Sequence, residues 1–313
     1  MFALRQVLAL LVMSVALLWA ASAQDLAPRA YVNTPLHSNA ITLTYSYFNG
    51  SINFNGMLPV TDAKGVYSVP IFSLYHSFAV FGHSANFVVA VPYGIGSFSG
   101  TMGGELVNQY RSGLTDSVYR IAVNLKGGPA LAPRDFVKWK QKTLIGVSFK
   151  IVAPTGQYDP TKLINWGTNR WSFKPEIGLS RRWKKIVLDA YGGAWFYTEN
   201  HDFWGRNTFF PGTRIQTRTP VASFEVHLSR DFRPMLWVSL DGNFWWGGTT
   251  AINGVENPLT QQRNSRIGAT ASFPLKKHQS LKVSYSNGTY TLFGGDYQNL
   301  SIAWQYSWLG RPK

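Results

Sequence analysis

From residue 143 to the C-terminus the chain alternates apolar and polar side chains in runs of about ten residues, the length a tilted β-strand needs to cross a bilayer. The last run is the clearest. Leu300, Ile302, Trp304, Tyr306 and Trp308 fall on one face, and Asn299, Ser301, Ala303, Gln305 and Ser307 on the other. Successive strand side chains point to opposite faces, whereas a helix would scatter these apolar residues around its circumference. The connections between runs alternate short and long, as the two ends of a membrane-spanning antiparallel barrel do.

Composition fits this class once the two faces are separated. Of 313 residues, 45% are hydrophobic and 14% charged, and the mean hydropathy is -0.09. A barrel gives such soluble-looking averages because its inward residues offset its outward ones. After residue 23 no stretch approaches the roughly 18 continuous apolar residues of a spanning helix. The one long apolar run, Val7 to Ala21, follows Arg5 and ends in Ala21, Ser22 and Ala23, the order of a secretory signal with an A-x-A cleavage site. The expected division is a cleaved signal peptide over 1–23, an N-terminal tail or small plug over 24–38 and the barrel over 39–313. The expected location is the outer membrane of a Gram-negative bacterium.

The sequence holds no cysteine, which excludes a disulfide framework and any thiolate site. A net charge of +15 would suggest nucleic acid in a cytoplasmic chain, but behind an export signal no nucleic-acid partner is expected. Basic residues gather in the connections instead: Lys184, Lys185, Arg230, Arg233, Lys276 and Lys277 in short ones, Arg206, Arg214 and Arg263 in long ones. There they meet water and anionic headgroups.

The pattern predicts about twelve strands, with ten and fourteen as the alternatives, near 39–48, 66–80, 85–98, 113–125, 140–153, 169–182, 186–199, 216–230, 235–248, 264–274, 280–287 and 296–308. Tight turns fall at 81–84, 183–185, 231–234 and 275–279, and long loops near 49–65, 99–112, 154–168, 200–215 and 249–263. The link at 126–139 is an exception, longer and richer in glycine and proline than a turn at that end should be. The run from Val66 to Val80 also alternates poorly and contains Pro70, which removes a ladder donor. Because hydrocarbon offers no hydrogen bonds, the sheet must close, so 39–48 should pair antiparallel with 296–308.

Facing follows from the period. If Trp171, Phe173, Ile177 and Leu179, then Ala222, Phe224, Val226 and Leu228, then Leu236, Val238, Leu240, Phe244 and Trp246 meet lipid, their alternates face the lumen. The lumen-lining candidates are therefore Arg120, Lys150, Arg170, Lys174, Glu176, Arg182, Asp189, Glu225, His227, Asp241, Arg266 and Lys282, with Asp116 beside them. A Lys or Arg pointing at lipid would cost about 2–4 kcal/mol at the midplane, which explains why charge keeps to one face.

Three stretches carry a family resemblance. Ala153-Pro154-Thr155-Gly156-Gln157-Tyr158-Asp159-Pro160, with Leu163-Ile164-Asn165 and the run from Gly167-Thr168-Asn169-Arg170-Trp171 to Gly178, resembles the core motif of the MetA-pathway of phenol degradation family. Gly113-Leu114-Thr115-Asp116 and Gly127-Gly128-Pro129-Ala130-Leu131 resemble its flanking signatures. The resemblance implies an outer-membrane barrel associated with use of aromatic or other hydrophobic compounds. It supplies no functional residues. Read by themselves, Pro154, Gly156 and Asp159-Pro160 turn a loop and Gly167 releases the chain into the next strand.

The functional expectation is a channel or transporter for passive passage of small organic compounds, aromatic or hydrophobic ones among them. A barrel of about twelve strands should have a narrow pore. The mixed charges inside, with cations in slight excess, suit small polar or weakly anionic solutes, whereas a hydrophobic one would need the apolar wall of Val69, Ile71 and Tyr75 or of Tyr191, Trp195 and Tyr197, or a lateral exit. The alternatives are a structural or adhesive barrel and a barrel-wall lipid hydrolase. For the last, His83-Ser84-Ala85-Asn86 has the right residue types but reads as a tight turn at the wrong end. The chain is not expected to be an enzyme, and no cofactor or metal site is expected, since the histidines lack metal spacing. Expected partners are outer-membrane lipids, a small organic solute and the barrel-assembly machinery during biogenesis.

Overall fold

In a computed structural model, residues 27–54, 60–102, 104–162, 164–207, 210–276 and 278–310 are described. The expected signal peptide and Lys277 lie outside them. The strands are β1 (Ser38–Asn53), β2 (Val60–Val80), β3 (His83–Met102), β4 (Glu105–Leu114), β5 (Ser117–Lys126), β6 (Thr143–Ala153), β7 (Ser172–Trp183), β8 (Ile186–Tyr197), β9 (Gln216–Arg218), β10 (Val221–Arg233), β11 (Leu236–Gly247), β12 (Thr250–Ile252), β13 (Val255–Asn257), β14 (Gln262–Pro274), β15 (Gln279–Thr291) and β16 (Gly294–Leu309). Helix α1 (Pro133–Phe136) sits in the link between β5 and β6.

The sheet runs β2-β1-β16-β15-β14-β11-β10-β8-β7-β6-β5-β3, and β2 also pairs with β3, so it closes on itself. β4 and β5 are one strand broken at Thr115 and Asp116, because β3 pairs with β5 over Ala85–Ala90 and with β4 over Tyr93–Met102. The result is a closed twelve-strand antiparallel barrel. Closure uses the predicted pair: β1 runs antiparallel to β16 from Ser38 opposite Leu309 to Asn53 opposite Gly294. Every ladder therefore has a partner, as lipid requires.

Turns at one end are tight. Phe81 and Gly82 both have positive φ (48° and 80°), the backbone of the two-residue hairpin whose twist matches that of the strands. Lys184-Lys185 and Pro234-Met235 turn in the same space, between β7 and β8 and between β10 and β11. At the other end, the loop over 198–220 and the loop over 248–261 share a small three-stranded sheet of β9, β12 and β13.

Two expected loops are corrected. Residues 49–65 and 99–112 are largely strand, since β1 to β4 run on as long hairpins beyond the predicted ends. Past the bilayer both faces of a hairpin meet water or loops, so the alternation that marks a strand is lost while the ladder continues. Pro70 is accommodated without ending β2: the register with β3 holds on both sides of it, from Ser68 opposite Ile95 to Ile71 opposite Pro92, with the ladder interrupted between.

Burial follows the period of two. On β10 Val221, Ser223, Glu225, His227 and Ser229 are buried, while Ala222, Phe224, Val226 and Leu228 are exposed. On β11 Ser239, Asp241, Asn243 and Trp245 are buried and Val238, Leu240, Phe244 and Trp246 are exposed. Leu240, near mid-height, is 65% exposed. The barrel thus shows apolar side chains outward and keeps its polar ones inside.

Candidate functional site

The lumen is filled unevenly, and three layers account for it. At the long-loop end, Phe48, Tyr67, Phe98 and Tyr297 converge from β1, β2, β3 and β16, with Phe48 and Tyr67 stacked at 4.6 Å and Tyr67 edge-on to Tyr297 at 5.1 Å. Trp166, from the loop between β6 and β7, stands 5.8 Å from Tyr67 and lies against Gly94, where a Cβ would overlap its indole. A second apolar cluster on the facing wall joins Val152, Trp195, Val221 and Trp245.

The loop that delivers Trp166 is latched by Asp116. Its carboxylate accepts the backbone N–H groups of Gly156 and Thr168, both at 2.9 Å, and the Thr168 hydroxyl. Gln157 N donates to Leu114 O at 2.8 Å, and the backbones of Gly156 and Gly167 cross so closely that a side chain on either would strike the other. Within the loop, hydrogen bonds from Thr161 hold the Asp159 carboxyl below the usual carboxylate range. The break between β4 and β5 frees Asp116 for this role. Two of the stretches that carry the resemblance, 113–116 and 153–178, therefore meet in space.

The middle layer is a network of charged side chains. Lys174 Nζ lies 2.7 Å from Glu176 and 3.0 Å from Glu225; His227 Nδ1 is 2.8 Å from Asp241, whose other oxygen accepts from Thr270 at 2.7 Å. Asp189 is buried beside them on the same face. Taking two charges out of water costs several kcal/mol per ion, so close pairing is what makes this layer tolerable.

The N-terminal segment forms the third layer. It enters at the short-turn end and crosses the lumen along the wall of β5 to β11. Tyr31, only 1% exposed, donates to Glu176 Oε1 at 2.9 Å, its hydroxyl oxygen lies 3.0 Å from Ser148 Oγ, and its ring lies edge-on to Tyr191 at 5.1 Å. The ring fits a notch made by Gly146 and Gly178, which face each other across β6 and β7 and where any Cβ would overlap it. Arg29 bonds Asp231 at 2.6 Å and covers Trp237 at 4.4 Å; Asn33 donates to Pro129 O at 3.0 Å. The long link between β5 and β6 thus has a structural use: it braces this segment and the β2–β3 turn, through Leu36 N to Leu131 O and Ala130 N to Gly82 O.

A slot of about 250 Å³ lies along the wall of β1, β14, β15 and β16, between Pro28 of the N-terminal segment and Phe48 of the aromatic layer. Arg266 and Lys282 line it among serine and threonine hydroxyls, with Ile71 and Ala303 as apolar patches. A larger hollow of about 450 Å³, at Arg29, Arg182, Lys185 and Arg233, lies at the short-turn rim.

The sequence-derived candidates divide accordingly. Arg266 and Lys282 face the slot. Lys174, Glu176, Glu225, His227 and Asp241 face inward and are tied up in the network, and Asp189 is buried beside it. Arg120 donates to Ala30 O and lies 5.0 Å over Tyr31, and Arg182 bonds Asp231 at 2.5 Å, so both hold the N-terminal segment or its anchor. Lys150 stands 5.7 Å from the Trp195 ring. Arg170, in the loop before β7, is buried over Tyr197 at 4.9 Å and reaches no open path. Of the apolar wall residues, Ile71 borders the slot, Val69 packs against the aromatic layer and Tyr75 bonds Thr34. His83 and Ser84 are not in the turn expected of them but open β3, directly after the Phe81–Gly82 turn, at the short-turn end and away from the long loops. The sequence allowed a small plug over 24–38 but singled out neither Tyr31 nor the aromatic layer; Gly146 and Gly178 against Tyr31, and Gly94 against Trp166, were the available signals.

Residues 50–296 match the family described as "Putative MetA-pathway of phenol degradation". The chain belongs to that family. Among solved structures, the COG4313 outer membrane channel from Pseudomonas putida F1 is similar at a TM-score of 0.74 and 17% identity, over 91% of this chain and 100% of that one. The β domain of the Bordetella autotransporter BrkA follows at 0.52 and 11%, over 87% and 100%. At such identities the likeness is one of fold, an outer-membrane barrel. A comparison with curated proteins finds no match.

Proposed function

We propose that this member of the family is an outer-membrane channel, exported by its signal peptide, that passes small organic compounds by diffusion. The observation that carries the reading is the slot: beside the aromatic layer, the inner wall of β1, β14, β15 and β16 borders a polar space of about 250 Å³ lined by serine and threonine hydroxyls. The short turns would face the periplasm and the long loops the exterior. Passage needs the aromatic layer to part, and the N-terminal segment narrows the path at the inner end. The likeness to a protein described as an outer membrane channel supports the same reading.

The extent of the packing favours, as a second reading, a barrel closed at rest with a structural role. Liposome swelling with a panel of sugars, organic acids and aromatics separates the two. The channel reading expects vesicles holding folded protein to admit small solutes and exclude larger ones. Vesicles no more permeable than empty controls would overturn it.

A further inference from the structure

We propose that the short-turn end carries a foot for anionic glycerophospholipids, formed by the link between β5 and β6 and the turn between β7 and β8. Its use does not depend on whether the lumen conducts. From Arg134 to Lys142 the link interleaves cations with apolar side chains: Arg134, Lys138, Lys140 and Lys142 are all exposed, with Phe136, Val137 and Trp139 between them and Asp135 as the one acid. No residue of α1 is buried, Val137 is 84% exposed, and the Phe136 and Trp139 rings lie 5.7 Å apart. The turn stands beside the link, because Thr143 of β6 pairs with Arg181 of β7. It adds Arg181, Lys184 and Lys185, all exposed, and Trp183, whose ring Arg181 covers at 5.7 Å. Arg182 is bonded to Asp231, which leaves seven exposed cations against one exposed carboxylate.

The foot is fixed before any lipid arrives. At one root Ser84 N donates to Gly128 O and Ala130 N to Gly82 O, both at 2.9 Å; at the other, buried Gln141 donates to Ser180 Oγ at 2.8 Å. The phosphate groups of an anionic bilayer surface match the cations, while aromatic rings sit at the boundary between headgroups and acyl chains. The apolar half decides between a lipid surface and an acidic protein. Phe81, on the turn that the link braces, is 97% exposed, and Trp183 continues into Leu179 and Ile177, the outward residues of β7 that meet lipid. The long-loop end lacks such an excess, since Asp62, Glu105, Glu199 and Glu256 stand exposed among its cations.

The sequence holds no cysteine, so a fluorophore on Val137→Cys reports on the foot alone. The full-length folded protein in phosphatidylcholine vesicles is given brominated phosphatidylglycerol or brominated phosphatidylcholine at equal mole fraction, and the quenching is compared. The anionic lipid should be enriched about fivefold at Val137, the equivalent of about 1 kcal/mol for one cation near an anionic surface. The same label on Phe196→Cys, exposed at the far end of β8, should find the two lipids equal. Lys138→Gln, Lys140→Gln and Lys142→Gln together should remove most of the enrichment. Raising the salt to about 0.5 M should do the same with the lysines intact, where folding is not in question. Equal quenching by the two lipids at Val137, enrichment as great at Phe196, or enrichment untouched by the three substitutions overturns the assignment. Quenching by neither lipid places the foot in water and overturns it too, in favour of an acidic protein partner.

Discussion

Replacing Gly178 by alanine should open the barrel more than any change at its surface. The new Cβ would overlap the Tyr31 ring, and the backbone cannot retreat because Gly178 is held in the β6–β7 and β7–β8 ladders. Tyr31 must leave its notch. Burial of its ring is worth about 1.5–3 kcal/mol, and its hydrogen bond to the Glu176 carboxylate about 1.5–3 kcal/mol more. The docked segment would lose roughly 3–6 kcal/mol, a shift of 10² to 10⁴ in its docking equilibrium. Single-channel conductance reads the result. G178A and Y31A should both conduct more than the wild type, and the double variant no more than either single one, since both remove the same contact. Gly192→Ala is the control: on the lipid side of the next strand, its Cβ would meet nothing. Conductance in G178A equal to that of G192A would refute the docking argument.

Further outcomes follow from the same packing. Leu240→Lys should destabilise the folded barrel by about 2–4 kcal/mol, as for a cation at the bilayer midplane, whereas Ser284→Lys in the slot should cost about 1 kcal/mol or less; unfolding by denaturant in lipid vesicles compares them, and equal losses would contradict the facing. Lys174→Met should cost about 3–5 kcal/mol by stranding the buried carboxylates of Glu176 and Glu225. Adding Glu176→Gln and Glu225→Gln should recover most of that loss in the same assay. Asp116→Ala should release the loop that carries Trp166, seen as faster proteolysis between residues 154 and 168.

The period of two was enough to place the barrel wall, because lipid on one side and a polar lumen on the other fix facing residue by residue. The same rule explains where the strand ends of β1 to β4 were missed: beyond the bilayer no solvent difference remains to write alternation into the sequence. Facing alone also could not tell a pore-lining charge from a sealed one. Lys174 and Lys282 look alike in sequence, yet the first is locked between two carboxylates and the second borders open space. That distinction depends on what fills the lumen, and the filling comes from residues 27–37 and 154–168, whose positions are set by long-range contacts. Glycines in mid-strand record some of it, since Gly94, Gly146 and Gly178 exist where an aromatic ring presses on the wall.

Because the chain has no native cysteine, single cysteines along β16 give the most direct test of an outside that is apolar and a middle that holds water. Cysteines replacing Leu300 and Ile302 should be quenched by brominated lipid tails and ignored by a charged thiol reagent. Cysteines replacing Ser301 and Ala303, which border the slot, should behave in the opposite way. Loss of this alternation, or its reversal, would contradict the account.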